Sequence, residues 1–87
     1  MNETPFYVGV WITRNGYIRH ELLPDGHYVE ARGDQKNAFH GKYTFTGDHI
    51  DYVDDDGLTT DAVIKDGTLY HAGVALHKVE QKIVAFL

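Results

Sequence analysis

The chain has 87 residues, 43% apolar and 13% aromatic, which suits one small domain with a packed core rather than a disordered segment. Its formal net charge is −5 and its eight Lys and Arg are scattered, which argues against nucleic acid as a partner, because phosphate binding needs a basic patch. It contains no Cys and no Ser, which excludes disulfides, thiolate metal sites, serine and cysteine nucleophiles, and an ordinary phosphate-binding lysine loop.

Residues 1–5 read as a short flexible lead without an apolar signal core, and no run approaches the length of a membrane span. A cytoplasmic protein with no membrane partner is the default expectation. Residues 6–13, Phe-Tyr-Val-Gly-Val-Trp-Ile-Thr, are aromatic and β-branched and predict a strand. Asn15-Gly16 is the strongest short hairpin signal in the chain. Residues 17–23 predict a second strand. In Pro24-Asp25-Gly26, Pro24 presets one backbone angle and Gly26 accepts a positive one, so the chain reverses into a third strand over 27–32. Residues 33–37 are polar and turn-like. Residues 38–46 alternate well, with Phe39, Gly41, Tyr43 and Phe45 on one face and His40, Lys42, Thr44 and Thr46 on the other. Gly47-Asp48 turns into a short strand over 49–53. Asp54-Asp55-Asp56-Gly57 turns into another over 58–65, which Asp66-Gly67 closes. Residues 68–79 read as one long strand, and 83–87 as a final short strand or packed tail.

No window of helical length shows three-to-four periodicity. Seven or eight short strands with frequent glycine turns indicate an all-β sandwich or up-and-down barrel. Closure is the easier way to remove sheet edges in so short a chain. The expected architecture is therefore a small antiparallel up-and-down β-barrel, streptavidin-like or lipocalin-like, over residues 6–87. Eight strands enclose an interior just large enough for side chains or one small ligand.

The 17–32 hairpin carries unusual charge for a strand pair: Arg19, His20, Glu21, Glu30 and Arg32. In one register Ile18, His20 and Leu22 face inward opposite Tyr28, Glu30 and Arg32. In the other, Arg19 and Glu21 face inward. A buried Glu is costly unless Arg or His pairs with it. A His–Glu pair can hold a proton near neutral pH, as acid–base chemistry requires. An ion-pair ladder between strands is the structural alternative. Tyr17, Tyr28, Tyr43 and Tyr52 fall on four successive predicted strands, and a phenol suits a pocket wall that orients a ligand. Trp11 fits a plug at one barrel end, with Gly9 leaving room for another side chain or backbone.

The Asp54–Asp56 run fails as a helix-loop-helix calcium loop, which needs a ligand at 52 and a Glu at 63, positions held by Tyr52 and Val63. The six His are spread over five predicted segments with no metal spacing inside any of them. His40, His49, His71 and His77 meet only through the fold. No metal and no cofactor are expected.

Gly9-Val10-Trp11, the run from Asn15 through Gly26, Tyr28 with Glu30-Ala31-Arg32, Gly41-Lys42-Tyr43, Ile50-Asp51-Tyr52, Asp54-Asp55 with Gly57, and Leu69 with His71 together resemble a family of short uncharacterised bacterial proteins first described structurally from Agrobacterium. The resemblance runs to about Lys78. It implies a streptavidin-like meander enclosing a pocket, with a small-ligand role. The chain departs from the family pattern at Ala72-Gly73-Val74, where Gly-Gly-Met is favoured, and in the tail after Lys78.

The leading expectation is a binder of a small, partly apolar organic ligand. Trp11, Tyr28, Tyr43 and Tyr52 supply stacking and apolar area, and Arg32, His20 and Glu30 fix orientation. The alternative is a cofactor-free isomerase, cyclase or lyase in which His20 and Glu30 act as acid and base and Arg32 or a Tyr steadies an oxyanion. A third is an interaction module, a homodimer formed through a barrel face, since Val29 and Ala31 are apolar on the face opposite Glu30.

Overall fold

β1 (Gly9–Thr13) and β2 (Ile18–Leu22) turn on Asn15-Gly16. Asn15 Oδ1 accepts from the Tyr17 amide at 3.0 Å, and Gly16 takes a φ of 78°, which suits a residue without Cβ. The computed structural model describes residues 4–79, and the expected strand over 83–87 lies outside them. The meander continues through β3 (His27–Arg32), β4 (Gln35–Thr46), β5 (His49–Asp54), β6 (Thr59–Lys65), β7 (Thr68–His71) and β8 (Val74–Lys78). Each strand pairs antiparallel with the next, and β8 closes on β1 with Trp11 opposite Lys78 and Thr13 opposite Leu76. The result is a closed eight-stranded up-and-down barrel without a free edge. Among the described residues no helix is long and apolar enough to cross a membrane.

Three expected elements are corrected. Residues 68–79 are two strands, not one, because the chain reverses at Ala72-Gly73, with φ of 51° and 79°. Two consecutive positive angles make the mirror-image turn that matches strand twist. Alanine hides that turn, since an L side chain at positive φ is disfavoured by roughly 1–2 kcal/mol. Ala72→Asn restores the preferred Asn-Gly pair and is expected to raise stability by up to about 1 kcal/mol. A urea midpoint at or below wild type would refute that.

The polar stretch 33–37 is mostly strand, because β4 starts at Gln35. The β3–β4 register shifts between Glu30, opposite Phe39, and Arg32, opposite Gln35. Such a bulge at a barrel rim re-aims the side chains beside it. Lastly, Phe6 and Tyr7 do not extend β1: Tyr7 packs against the core, while Phe6 stays largely exposed, edge-on to Tyr7 and Phe45. The Tyr7 ring stacks on Phe45 at 4.2 Å, and its carbonyl accepts the Trp11 indole N–H at 3.0 Å. Lys78 makes the close approach that Gly9 permits: a Cβ there would meet its side chain at 3.1 Å. The Lys78 ammonium donates to the Phe6 carbonyl.

The alternating inward residues Trp11, Leu22, Tyr28, Tyr43, Ile50, Tyr52, Ala62, Ile64, Leu69 and Leu76 form the core. The two barrel ends differ in character. Turns near Pro24, Gly47 and Gly67 gather at one end, where Leu22, Ile50, Ile64 and Leu69 lie beneath Tyr7 and Phe45. Turns near Gly16, Gly33, Gly57 and Gly73 gather at the other, where the inward residues become polar.

Candidate functional site

The polar end is built on the β2–β3 register, which pairs Ile18 with Arg32, His20 with Glu30 and Leu22 with Tyr28. Leu22 and Tyr28 are both buried, and a period of two then carries His20 and Glu30 inward with them. Arg19 and Glu21 face outward. His20 is 1% exposed and Glu30 4%, while the Arg32 side chain reaches the rim at 42%.

A row of contacts runs from Tyr52 to Arg32. His20 Nδ1 lies 3.0 Å from the Tyr52 hydroxyl. His20 Nε2 lies 3.2 Å from Glu30 Oε1 but without the alignment of a hydrogen bond, and among the described residues it has no other partner. Arg32 Nε donates to Glu30 Oε2 at 2.5 Å. Burial pushes the Glu30 carboxyl up, yet the close His20 ring and the Arg32 guanidinium outweigh it and hold the group below its ordinary value. Burial pushes Tyr28 and Tyr43 up to about 12 and Tyr52 higher still, so all three stay phenols.

His71 completes the cluster. It is buried on β7, its ring centroid 4.8 Å from that of His20 and 5.7 Å from that of Tyr52. Its Nδ1 donates to the Asp61 carbonyl at 3.0 Å. The sequence places His71 among the histidines that meet only through the fold, and its alternation with Leu69 puts both on one face of the strand. One ligand atom from each of His20, Glu30 and His71 lies within 4.8 Å of the others, so these three residues are able to hold a metal ion. A second such group, His49, Asp51 and Asp61, stands on the outer wall.

The other expected site residues divide. Tyr28 lies edge-on to Tyr52 at 4.8 Å, beside the polar cluster. Tyr43 points to the closed end and donates to the Leu23 carbonyl at 2.7 Å. Trp11 is buried behind Tyr7. Tyr17 does not join the inward set, being 57% exposed beyond the Asn15-Gly16 turn. The Asp54 carboxylate is engaged by its own turn, accepting from the Asp56 and Leu58 amides at 2.9 Å each.

Beside the polar end lies an open depression of about 580 Å³ lined by Thr13, Arg14, Asn15, Tyr17, Ile18, Val74 and Ala75. Thr13, Ile18 and Val74 share strand parity with the inward residues Trp11, His20 and Leu76. Arg19, Glu21, Val29 and Ala31 line a separate depression of about 470 Å³ on the outer wall.

The profile of the family described as Agrobacterium tumefaciens protein Atu4866 matches residues 4–78. The solution structure of the protein Atu4866 from Agrobacterium tumefaciens is 43% identical, superposes with a TM-score of 0.76, and covers 90% of this chain and 100% of that one. Among curated proteins nothing matches.

Proposed function

The chain belongs to the family of Agrobacterium tumefaciens protein Atu4866, and we propose that it is a cytoplasmic, streptavidin-like receptor for a small, partly apolar organic ligand bound at the Arg32 end of the barrel. One observation carries this reading. His20, Glu30, His71 and the Tyr52 hydroxyl sit inside an otherwise apolar barrel and reach its rim through Arg32. Aliphatic residues of similar volume would commonly serve stability as well or better. A few convergent polar groups in an apolar surround are what orient a small ligand.

In this reading Arg32 meets an acidic or carbonyl group, and Ile18, Phe39 and Val74 contact the apolar part. Tyr28 and Tyr52 form the floor. Trp11 and Tyr43 hold the barrel wall behind it. Titration of ¹⁵N-labelled protein with a metabolite library tests the assignment. Shifts are expected at Ile18, Arg32, His71 and Val74, and Arg32→Ala should weaken the binding tenfold or more, about 1.4 kcal/mol for a charge-assisted contact. Shifts confined to the outer wall, around Val29 and Ala31, would refute it.

A second reading rests on the His20 contacts. A ring with Tyr52 on one nitrogen and a carboxylate beside the other has the makings of an acid–base centre for a cofactor-free isomerase, cyclase or lyase. Turnover of a bound ligand that His20→Asn abolishes without weakening binding would select this reading over simple reception.

A further inference from the structure

We infer that His20, Glu30 and His71 form a binding site for a divalent first-row transition metal ion, with zinc the ion that fits best. Two imidazoles and one carboxylate are a ligand set such ions take, and three protein ligands leave a position for water or a ligand donor atom. The spacing is close to what coordination needs. Zinc bonds of about 2.0–2.2 Å put ligand atoms roughly 3.3 Å apart around the ion. His20 Nε2 and Glu30 Oε1 are already 3.2 Å apart, and one donor atom from each of the three residues lies within 4.8 Å of the others.

The hydrogen bonds around the three residues favour the forms a metal requires. His71 spends Nδ1–H on the Asp61 carbonyl, which leaves Nε2 as the nitrogen a metal would take. His20 directs Nδ1 to the Tyr52 hydroxyl, which leaves Nε2 as its metal-facing atom. Arg32 occupies Glu30 Oε2 and leaves Oε1 toward His20. Each ligand is thus held from behind by a second group, as metal ligands generally are.

The independent sign of a ligand is His20 Nε2 itself. It is buried and, among the described residues, without a hydrogen-bond partner. Buried polar atoms are nearly always satisfied, so an orphan inside a three-ligand cluster points to something that binds there. The outer group of His49, Asp51 and Asp61 has no such atom among its members and stands largely in solvent. The metal site shares residues with the organic-ligand pocket but does not rest on it, since an ion can occupy the three ligands with no organic molecule present.

The test uses the metal alone. Chelator-stripped full-length protein is titrated with Zn²⁺ by calorimetry and with Co²⁺ by visible absorption, and the histidine rings are followed by long-range ¹⁵N correlation. One equivalent should bind, shift the His20 and His71 ring signals and release protons as ligands are freed for the ion. His71→Gln should lose binding, and Tyr52→Phe should weaken it about 10–100-fold by removing an outer-shell partner. His49→Ala should bind as wild type does. Absence of binding to wild type overturns the assignment. So does binding that His49→Ala abolishes and His71→Gln leaves intact. Should His71→Gln not fold, the wild-type ring signals decide, and unshifted His20 and His71 overturn it. A failed metabolite screen beside a positive zinc titration would remove the organic-ligand reading and leave this one standing.

Discussion

Glu30→Ala should destabilise the barrel by about 3–5 kcal/mol, the range for removing one member of a buried ion pair. Glu30 is the acceptor that both His20 and Arg32 face, and it is nearly sequestered from water. Its loss leaves the Arg32 guanidinium without its carboxylate and opens a space beside the His20 ring. Urea denaturation measures the change through the midpoint at constant slope. The same residue predicts an acid limb. Because the folded carboxyl titrates below its ordinary value of 4.5, the unfolded chain binds the proton more readily. The Glu30 contribution is then fully present above that value and is lost as pH falls through the lower folded one. Wild-type stability should decline below about pH 4.5 in a limb that Glu30→Gln lacks. A parallel pH profile for the two proteins would show that the pair contributes nothing.

The wider expectation separates stability from function. Replacing His20 with Leu, Glu30 with Met and Tyr52 with Phe removes their buried polar atoms together instead of orphaning one of them, and leaves His71 its bond to the Asp61 carbonyl. Buried ion pairs replaced this way are often neutral or gain about 1–4 kcal/mol. Tyr52 must change with the other two, because its hydroxyl otherwise loses the His20 partner in a buried place. A triple variant as stable as wild type, and blind to metal and small molecule alike, would mean that the cluster is kept for what it binds.

The strand plan is legible because period-two alternation survives in the chain. Phe39, Gly41, Tyr43 and Phe45 point one way whatever their partners, and Asn15-Gly16 and Pro24-Asp25-Gly26 announce their turns. The 17–32 hairpin is legible only as a choice between two faces. Its own residues cannot decide, since each face carries charge. The apolar Leu22 and Tyr28, buried by distant strands, turn His20 and Glu30 inward. His71 is legible only as one of four histidines that meet through the fold, because an alanine at positive φ conceals the turn that follows it and the residue reads as mid-strand when it closes β7 facing the core. The rim bulge is likewise silent. Lys36 and Asn37 have no apolar alternation, and they lie in β4 between Gln35, paired with Arg32, and Phe39, paired with Glu30. Tyr17 shows the limit of counting tyrosines on successive strands, for it lies one residue before β2 begins.

Gly41→Ala should be the most disruptive single methyl in the described barrel, costing at least about 3 kcal/mol, the upper end for overpacking. Eight of the nine glycines have positive φ, and Gly41 is the exception, so backbone freedom is not why it is there. Space is the reason. A Cβ at Gly41 would lie 2.1 Å from the Val53 carbonyl oxygen, 2.6 Å from Asp54 Cα and 3.0 Å from the Asp54 carbonyl carbon. All three are backbone atoms of the paired strand β5 and cannot swing aside as a side chain would. Relief must come from separating β4 from β5 where Gly41 lies opposite both Asp54 and Tyr28. That separation bears on the site, because Tyr28 packs edge-on against Tyr52, and Tyr52 holds His20. A folded Gly41→Ala protein should therefore show displaced Tyr52 and His20 ring resonances as well as a lowered urea midpoint. A loss under about 1 kcal/mol would mean that β4 and β5 yield at this crossing, and the polar cluster would then rest on a softer wall than the close packing around Gly41 implies.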